Sequence, residues 1–122
     1  MNSRRSLLVG CGAYLPERIL ENRELAKIVD TSDDWIVKRT GIKQRHIAAD
    51  GELTSDLATK AAHDALVKAN IASDQIDLIV VATTTPDETF PSTATKVQAA
   101  LGITKALFDC PVFIKLSAMV SA

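Results

Sequence analysis

The feature that most constrains the fold is an unbroken apolar run at residues 78–82, Leu-Ile-Val-Val-Ala, inside the longer segment 76–85. The run is too short for a helix and rich in β-branched residues, so it predicts a strand buried on both faces. Such a strand requires helices above and below it. The next segment, 83–89, is polar, and open α/β sheets bind ligands where their strands end. From the pattern alone, an ordinary polar loop after a core strand is the favoured interpretation.

Helical patterns lie on both sides of this strand. The clearest is an alanine-rich stripe over 57–69, whose spacing predicts a helix capped by Thr54 or Ser55. Another helix is predicted to begin after Pro91 and to end at Gly102. Alternating strands and helices are typical of a layered α/β fold, with helices packed on a sheet.

The amino-terminal part predicts further elements. Residues 7–15 are apolar and favour a first strand, in which Gly10 and Gly12 indicate close approach by another backbone. Asn22 is a candidate cap for a short helix over 23–29. A small strand is predicted over 44–48, followed by a turn at 49–52.

Composition excludes several classes of function. Lysine plus arginine total 14 and aspartate plus glutamate 15, so no charge excess favours nucleic acid or an anionic membrane surface as a partner. No segment approaches the roughly 20 apolar residues of a membrane span. Cys11 and Cys110 form no metal-ligand pattern, and we expect no metal site. The apolar core after the arginines at 4–5 is too short for a secretory leader, so we expect a cytoplasmic protein.

The segment 30–42, Asp-Thr-Ser-Asp-Asp-Trp-Ile-Val-Lys-Arg-Thr-Gly-Ile, contains the only tryptophan. Thr31 or Ser32 can cap a helix here, and Trp35 and Arg39 are four residues apart and therefore share one face. An aromatic ring beside a guanidinium can bind a nucleotide, with the base stacked and the phosphate paired with the cation. The same pair fits a tryptophan that anchors a short helix, with the arginine stacked on it for packing. Both interpretations remain open at the level of the motif.

Five segments follow one another in the order and spacing found in β-ketoacyl-acyl-carrier-protein synthase III, of the thiolase superfamily. They are residues 12–16, 30–42, 45–48, 77–84 and 90–92. The run Asp-Thr-Ser-Asp-Asp-Trp-Ile is specific to that family or its near relatives. The resemblance implies a partial thiolase-like α/β fold, the first half of the αβαβα layered arrangement. It assigns residues 1–106 to the amino-terminal thiolase-like segment and leaves 107–122 as a divergent tail.

The resemblance also implies an activity. The family starts type II fatty-acid synthesis by joining an acyl group from acyl-coenzyme A to malonyl-acyl carrier protein, as a homodimer without a permanently bound cofactor. By position, Trp35 would stack the adenine of coenzyme A, Arg39 would meet its phosphates, and Thr31 would lie beside them. Phe90 matches the residue that lines the acyl pocket of the partner subunit. Acyl carrier protein and acyl-coenzyme A are the implied partners.

The carboxyl end departs from the family. Phe108 and Asp109 match, but the position of the nucleophilic cysteine holds Ile114. Cys110 directly follows Asp109 and precedes a proline, without the helix amino terminus that favours a thiolate. The family's catalytic His and Asn lie in a second half that has no counterpart here. We therefore expect no catalytic residue in this chain, and a change of reading frame near 105–108 would account for the departure.

Two alternatives remain, and the first of them belongs to a different class of protein. It is a non-catalytic module that keeps Trp35 and Arg39 to bind coenzyme A, or that pairs with a full-length synthase. The second is a relative from the same superfamily that makes polyketide or quinolone-type products. Coenzyme A binding without thioester turnover would favour the first of these.

Overall fold

The computed structural model describes residues 6–105, which form two compact units. One unit contains residues 15–52, and the other contains 6–14 together with 53–105. The elements in chain order are β1 (Arg18–Glu21), α1 (Asn22–Leu25), α2 (Asp33–Thr40), β2 (Gln44–Ile47), α3 (Thr54–Ala69), a short 3₁₀ helix (Ser73–Gln75) and α4 (Thr93–Ala100).

The unit 15–52 is built on a two-stranded antiparallel sheet. β1 pairs with β2 so that Arg18 lies opposite Ile47 and Glu21 opposite Gln44. β2 confirms the small strand predicted over 44–48. The sequence pattern did not predict β1, because its four residues carry only two apolar side chains between charged ones.

α1 is shorter than predicted, and its cap was wrong. The helix covers Asn22–Leu25 rather than 23–29, and the capping position is Glu21, whose side chain makes no capping hydrogen bond. Ile28 and Val29, which lie beyond the end of the helix, are 77% and 53% exposed. The Asn22 side chain is buried and bonds to more distant groups, so it is not available to cap the helix.

α3 and α4 pack against each other in the other unit. The amino-terminal half of the predicted alanine-rich stripe is buried, with Leu57 and Ala61 each 6% exposed, and Val97 of α4 is 1% exposed. Both helices thus confirm the sequence pattern. Over residues 6–105, α3 is the longest helix at 16 residues, and no helix has the length and apolar content to cross a membrane.

The predicted cap of α3 was wrong. The capping position is Leu53, whose N–H donates to a carboxylate oxygen of Asp56 at 2.9 Å. Thr54 Oγ1 instead donates to the Thr85 carbonyl at 2.7 Å, and the Ser55 N–H donates to Asp87 Oδ1 at 3.1 Å. Bonds to a distant loop took the place of the local capping bonds that the sequence suggested.

The two predicted long strands are not present among the described residues. Neither 7–15 nor 76–85 contains a residue in a strand. Val80 is buried at 5% exposure, but Leu78 is 55% and Leu8 87% exposed. A strand buried on both faces needs a bonded neighbour on each side and a covering layer on each face. Residues 6–105 do not supply these to either segment, so the prediction of paired, buried strands is wrong here.

The expected close approach at the glycines is confirmed. A Cβ at Gly10 would lie 2.6 Å from Ala69 Cβ, and one at Gly12 would overlap the Ala65 nitrogen and the Ala61 carbonyl oxygen of α3. Contacts below 3.0 Å to backbone atoms require the backbone to shift. The absence of a side chain at Gly12 therefore lets residues 6–14 lie directly on α3.

Replacement of Gly12 by alanine tests this contact. We expect Gly12→Ala to lower the free energy of unfolding by about 1–3 kcal/mol, because the added methyl group displaces a packed backbone. The exposed neighbour Cys11 supplies the control, and Cys11→Ala should change the value little. Denaturant unfolding followed by circular dichroism measures both variants. Equal stability of Gly12→Ala and the parent would contradict the packing of this segment on α3.

Candidate functional site

The helix α2 carries the candidate binding pair, and its ends are set locally. Ser32 is the N-cap, and its hydroxyl oxygen accepts a hydrogen bond from the Trp35 N–H at 3.2 Å. Asp33 and Asp34 occupy the first turn, where the helix dipole favours negative charge. Gly41 ends the helix with φ of 72°, a conformation that suits glycine. The predicted helix, its Ser32 cap and its end are confirmed.

Trp35 and Arg39 lie together on α2. The guanidinium carbon of Arg39 is 4.7 Å from the centroid of the Trp35 ring, within cation–π range. Trp35 is 54% exposed, while its neighbour Ile36 is 3% exposed. The side chain that anchors α2 in its unit is therefore Ile36. Trp35 presents a flat ring at the surface and Arg39 a fixed positive charge beside it, which disfavours the interpretation that the tryptophan serves only to anchor the helix.

A buried amide connects α2 to the rest of the unit 15–52. Asn22 is 1% exposed, and its Nδ2 donates to Asp33 Oδ1 at 2.8 Å and to the Ile42 carbonyl at 2.7 Å. Its Oδ1 accepts a hydrogen bond from Arg45 Nη1 at 2.8 Å. The sequence pattern predicted Asn22 only as a helix cap. Its partners lie 11 to 23 residues away, so no local pattern could have identified them.

The other predicted site residues occupy different places. Thr31 is half-buried and directly precedes the Ser32 cap. Phe90 belongs to the unit formed by 6–14 and 53–105, and it is 88% exposed. The nucleophile position Ile114 and the candidate thiol Cys110 lie outside the described residues, as do the 107–122 tail and its boundary. The roles of Thr31 and Phe90 stay predictions.

A charged cluster holds the loop that leads to Phe90. The Asp87 side chain is 1% exposed; Oδ1 accepts the Ser55 N–H, and Oδ2 lies 3.5 Å from Lys96 Nζ. Lys96 also donates to Glu88 at 2.8 Å. Burial by itself raises the pKa of Asp87, but the hydrogen bonds from Ser55 and the charge of Lys96 outweigh it and hold the pKa below its usual value. The loop is thereby fixed to the first turn of α3 and to α4.

The histidines form no metal centre within residues 6–105, where no group of three or more candidate ligands occurs. His46 Nδ1 lies 2.6 Å from the Pro16 carbonyl oxygen, which occupies one ring nitrogen in a backbone contact.

Comparison with solved structures identifies the class of protein. The 3-oxoacyl-[acyl-carrier-protein] synthase III of Aquifex aeolicus VF5 matches with a TM-score of 0.75 and 51% identity, over 80% of this chain and 32% of that one. The priming β-ketosynthase of the R1128 polyketide pathway matches with a TM-score of 0.76 and 33% identity, over 81% of this chain and 30% of that one. The chain therefore has a partial thiolase-like α/β fold, as the sequence resemblance implied.

Comparison of sequences narrows the class to one family. The chain is 67% identical over 106 residues to β-ketoacyl-[acyl-carrier-protein] synthase III of Rhodospirillum centenum. The aligned region covers 86% of this chain and 33% of the relative. The enzyme of the same name from Thiobacillus denitrificans is 64% identical over 106 residues, covering 85% and 33%. No protein-family model matches the chain. The chain belongs to the β-ketoacyl-acyl-carrier-protein synthase III family and spans about a third of the length of these relatives.

The lowered pKa of Asp87 predicts a specific pH dependence. A carboxylate whose folded pKa lies below its unfolded value of about 3.9 stabilises the fold above that pH, and this contribution is lost as the pH falls through the folded pKa. We expect Asp87→Asn to cost about 1–3 kcal/mol at pH 7. The difference from the parent should shrink below about pH 4.

Denaturant unfolding between pH 3 and pH 7 measures this difference. The control is Glu88→Gln, which also removes a carboxylate paired with Lys96 but from an exposed side chain, and should change stability by less than about 1 kcal/mol. A gap between Asp87→Asn and the parent that stays constant across this pH range would show that the charge of Asp87 does not stabilise the loop.

Proposed function

We propose that this chain is part of a condensing enzyme that starts type II fatty-acid synthesis, and that its unit 15–52 binds the nucleotide end of coenzyme A. The synthase would join an acyl group from acyl-coenzyme A to malonyl-acyl carrier protein. The identity of 67% to a synthase III supports the reaction class. The observation that carries the binding proposal is the exposed Trp35 ring with Arg39 held over it, on a helix anchored by a different side chain.

The chemistry of this pair matches a nucleotide that carries phosphates. The adenine would stack on the indole of Trp35, which contributes about 1–3 kcal/mol for a base on an aromatic ring. The guanidinium of Arg39 would meet a phosphate through a charge-assisted hydrogen bond of about 1.5–3 kcal/mol. Thr31, which precedes the N-cap of the helix, would add a polar contact to the nucleotide. After the entropy of association is counted, these contacts alone give millimolar affinity at best.

The remaining assignments follow from membership in the family. Phe90, exposed on its loop, would line the acyl pocket of a second subunit in a homodimer. Acyl carrier protein and acyl-coenzyme A would be the partners, with no permanently bound cofactor, and the site of action would be the cytoplasm. With Ile114 at the position of the nucleophile, the chain as given would bind coenzyme A but not transfer an acyl group. Residues 107–122 would form a divergent tail with no part in the site.

A non-catalytic coenzyme A-binding module is the second candidate. It is favoured by the fact that Trp35 and Arg39 come from one helix of eight residues and need no group from outside their unit. Both candidates predict that this chain binds coenzyme A, and neither predicts that it becomes acylated. They differ in the reaction class, for which the 67% identity to a synthase III favours the first candidate.

Tryptophan fluorescence tests the binding proposal directly, because Trp35 is the only tryptophan. Coenzyme A should quench its emission saturably with an apparent Kd in the millimolar range, and Arg39→Ala should weaken the affinity by about tenfold or more. Excitation near 295 nm limits absorption by the adenine. The matched control is Lys38→Ala, which removes a positive charge from the same helix turn. The affinity of Lys38→Ala for coenzyme A should lie within about twofold of the parent value, because only long-range electrostatic attraction is lost.

Two outcomes would contradict binding by this pair. One is the absence of saturable quenching in the folded parent protein. The other is an equal loss of coenzyme A affinity in Arg39→Ala and Lys38→Ala. That result would show that Arg39 acts only through long-range electrostatic attraction and makes no specific contact with the phosphate.

A further inference from the structure

We infer that Asn22 is the positioning residue of the coenzyme A helix: its buried amide fixes the orientation of α2 and thereby the place where Trp35 and Arg39 meet the nucleotide. The inference rests on the proposed function, since it concerns the geometry of that same binding pair. Asn22 itself is buried and would not touch the ligand.

The hydrogen bonds of Asn22 reach both ends of α2. Asp33 is the first residue of the helix, and Ile42 lies just beyond its terminal Gly41. The two protons of one amide group bond to these two points, at 2.8 Å and 2.7 Å. A rotation or a slide of α2 would break at least one of these bonds inside the buried part of the unit. Because an unpaired buried polar group is costly, the amide restricts both movements.

The apolar packing of α2 does not provide this restriction by itself. The helix is about 12 Å long, and Ile36 is the one residue of α2 that is buried. Ile36, with half-buried Val37 beside it, holds the helix against the unit, but packing at one place on a helix permits rotation about that place. The exposed face with Trp35 and Arg39 therefore needs a second, directional constraint, and Asn22 supplies it.

The third hydrogen bond anchors the amide itself. Asn22 Oδ1 accepts from Arg45, whose strand β2 pairs with β1 in the two-stranded sheet. The Asn22 N–H also donates to the Lys43 carbonyl, at 3.4 Å. The amide thus connects α2 to the sheet. It needs two donor protons and one acceptor on a short planar group, which asparagine provides and aspartate does not.

A matched pair of variants on one helix turn separates position from charge. Asp33→Ala removes the acceptor that Asn22 bonds, and Asp34→Ala removes the adjacent carboxylate, which is not among the bonding partners of the Asn22 side chain. Both lose one negative charge from the first turn of α2. We expect Asp33→Ala to weaken coenzyme A quenching by about fivefold or more, and Asp34→Ala to change it by less than about twofold.

A reciprocal exchange tests the bond itself. Asn22→Asp places two carboxylates against each other and should weaken binding about tenfold or more. In the double variant N22D/D33N the amide at position 33 donates to the carboxylate at position 22, so this bond is restored with reversed direction, while the bond to the Ile42 carbonyl stays lost because a carboxylate has no proton to donate. Binding should therefore recover in part, by about threefold or more relative to Asn22→Asp. Rescue by the second substitution is a result that a general loss of stability would not produce.

The emission of Trp35 gives a second readout that needs no ligand. Below the melting temperature of each variant, Asp33→Ala and Asn22→Asp should change the emission maximum and the access of acrylamide to Trp35. N22D/D33N should move both quantities back toward the values of the parent. Unchanged emission and unchanged coenzyme A affinity in folded Asp33→Ala would overturn the inference, even if Asn22→Asp fails to fold. The two proposals can fail separately. If the parent does not bind coenzyme A, but Trp35 emission shifts in the single variants and moves back in N22D/D33N, the proposed function fails and the positioning role of Asn22 stands.

Discussion

The hydrogen bonds of the buried Asn22 amide determine how the unit 15–52 is held together. This unit has a two-stranded sheet and two short helices, and Pro16 and Ile36 are the buried apolar residues among its residues 15–52. With so little apolar burial, directional polar bonds take a larger share in fixing its elements. The amide bonds to α2, to the segment after α2 and to β2. The loss of these bonds would leave a buried amide unpaired, which is why the three elements keep their relative positions.

This arrangement explains how an exposed pair can still have a defined geometry. Trp35 and Arg39 lie on the side of α2 that its buried anchor leaves free, and the cation–π contact limits the motion of both side chains. The helix that carries them begins at the Ser32 cap and ends at Gly41. The pair is therefore presented on a short helix whose ends and orientation are both fixed. Both side chains of the proposed binding pair come from this one helix.

Structural features that depend on nearby residues could be predicted from the sequence, and features that depend on distant residues could not. The Ser32 cap, the Gly41 end and the shared face of Trp35 and Arg39 depend on residues at most nine apart, and the structure confirms them. The strand expected over 76–85 depends on neighbours and covering layers from elsewhere, and residues 6–105 do not provide them. Asn22 was misassigned for the same reason, because its partners lie far along the chain. The family resemblance succeeded because it rests on whole segments rather than on single elements.

The central claim is that coenzyme A meets this chain through its adenine end at α2. Saturation-transfer difference NMR of coenzyme A with the folded protein tests it at the weak affinity expected, because the method detects ligands that exchange quickly. The account predicts that saturation of the protein transfers most strongly to the adenine protons and only weakly to those of the pantetheine arm, and that Trp35→Ala abolishes the adenine signal. Transfer that is strongest on the pantetheine arm, or unchanged in a folded Trp35→Ala variant, would contradict it.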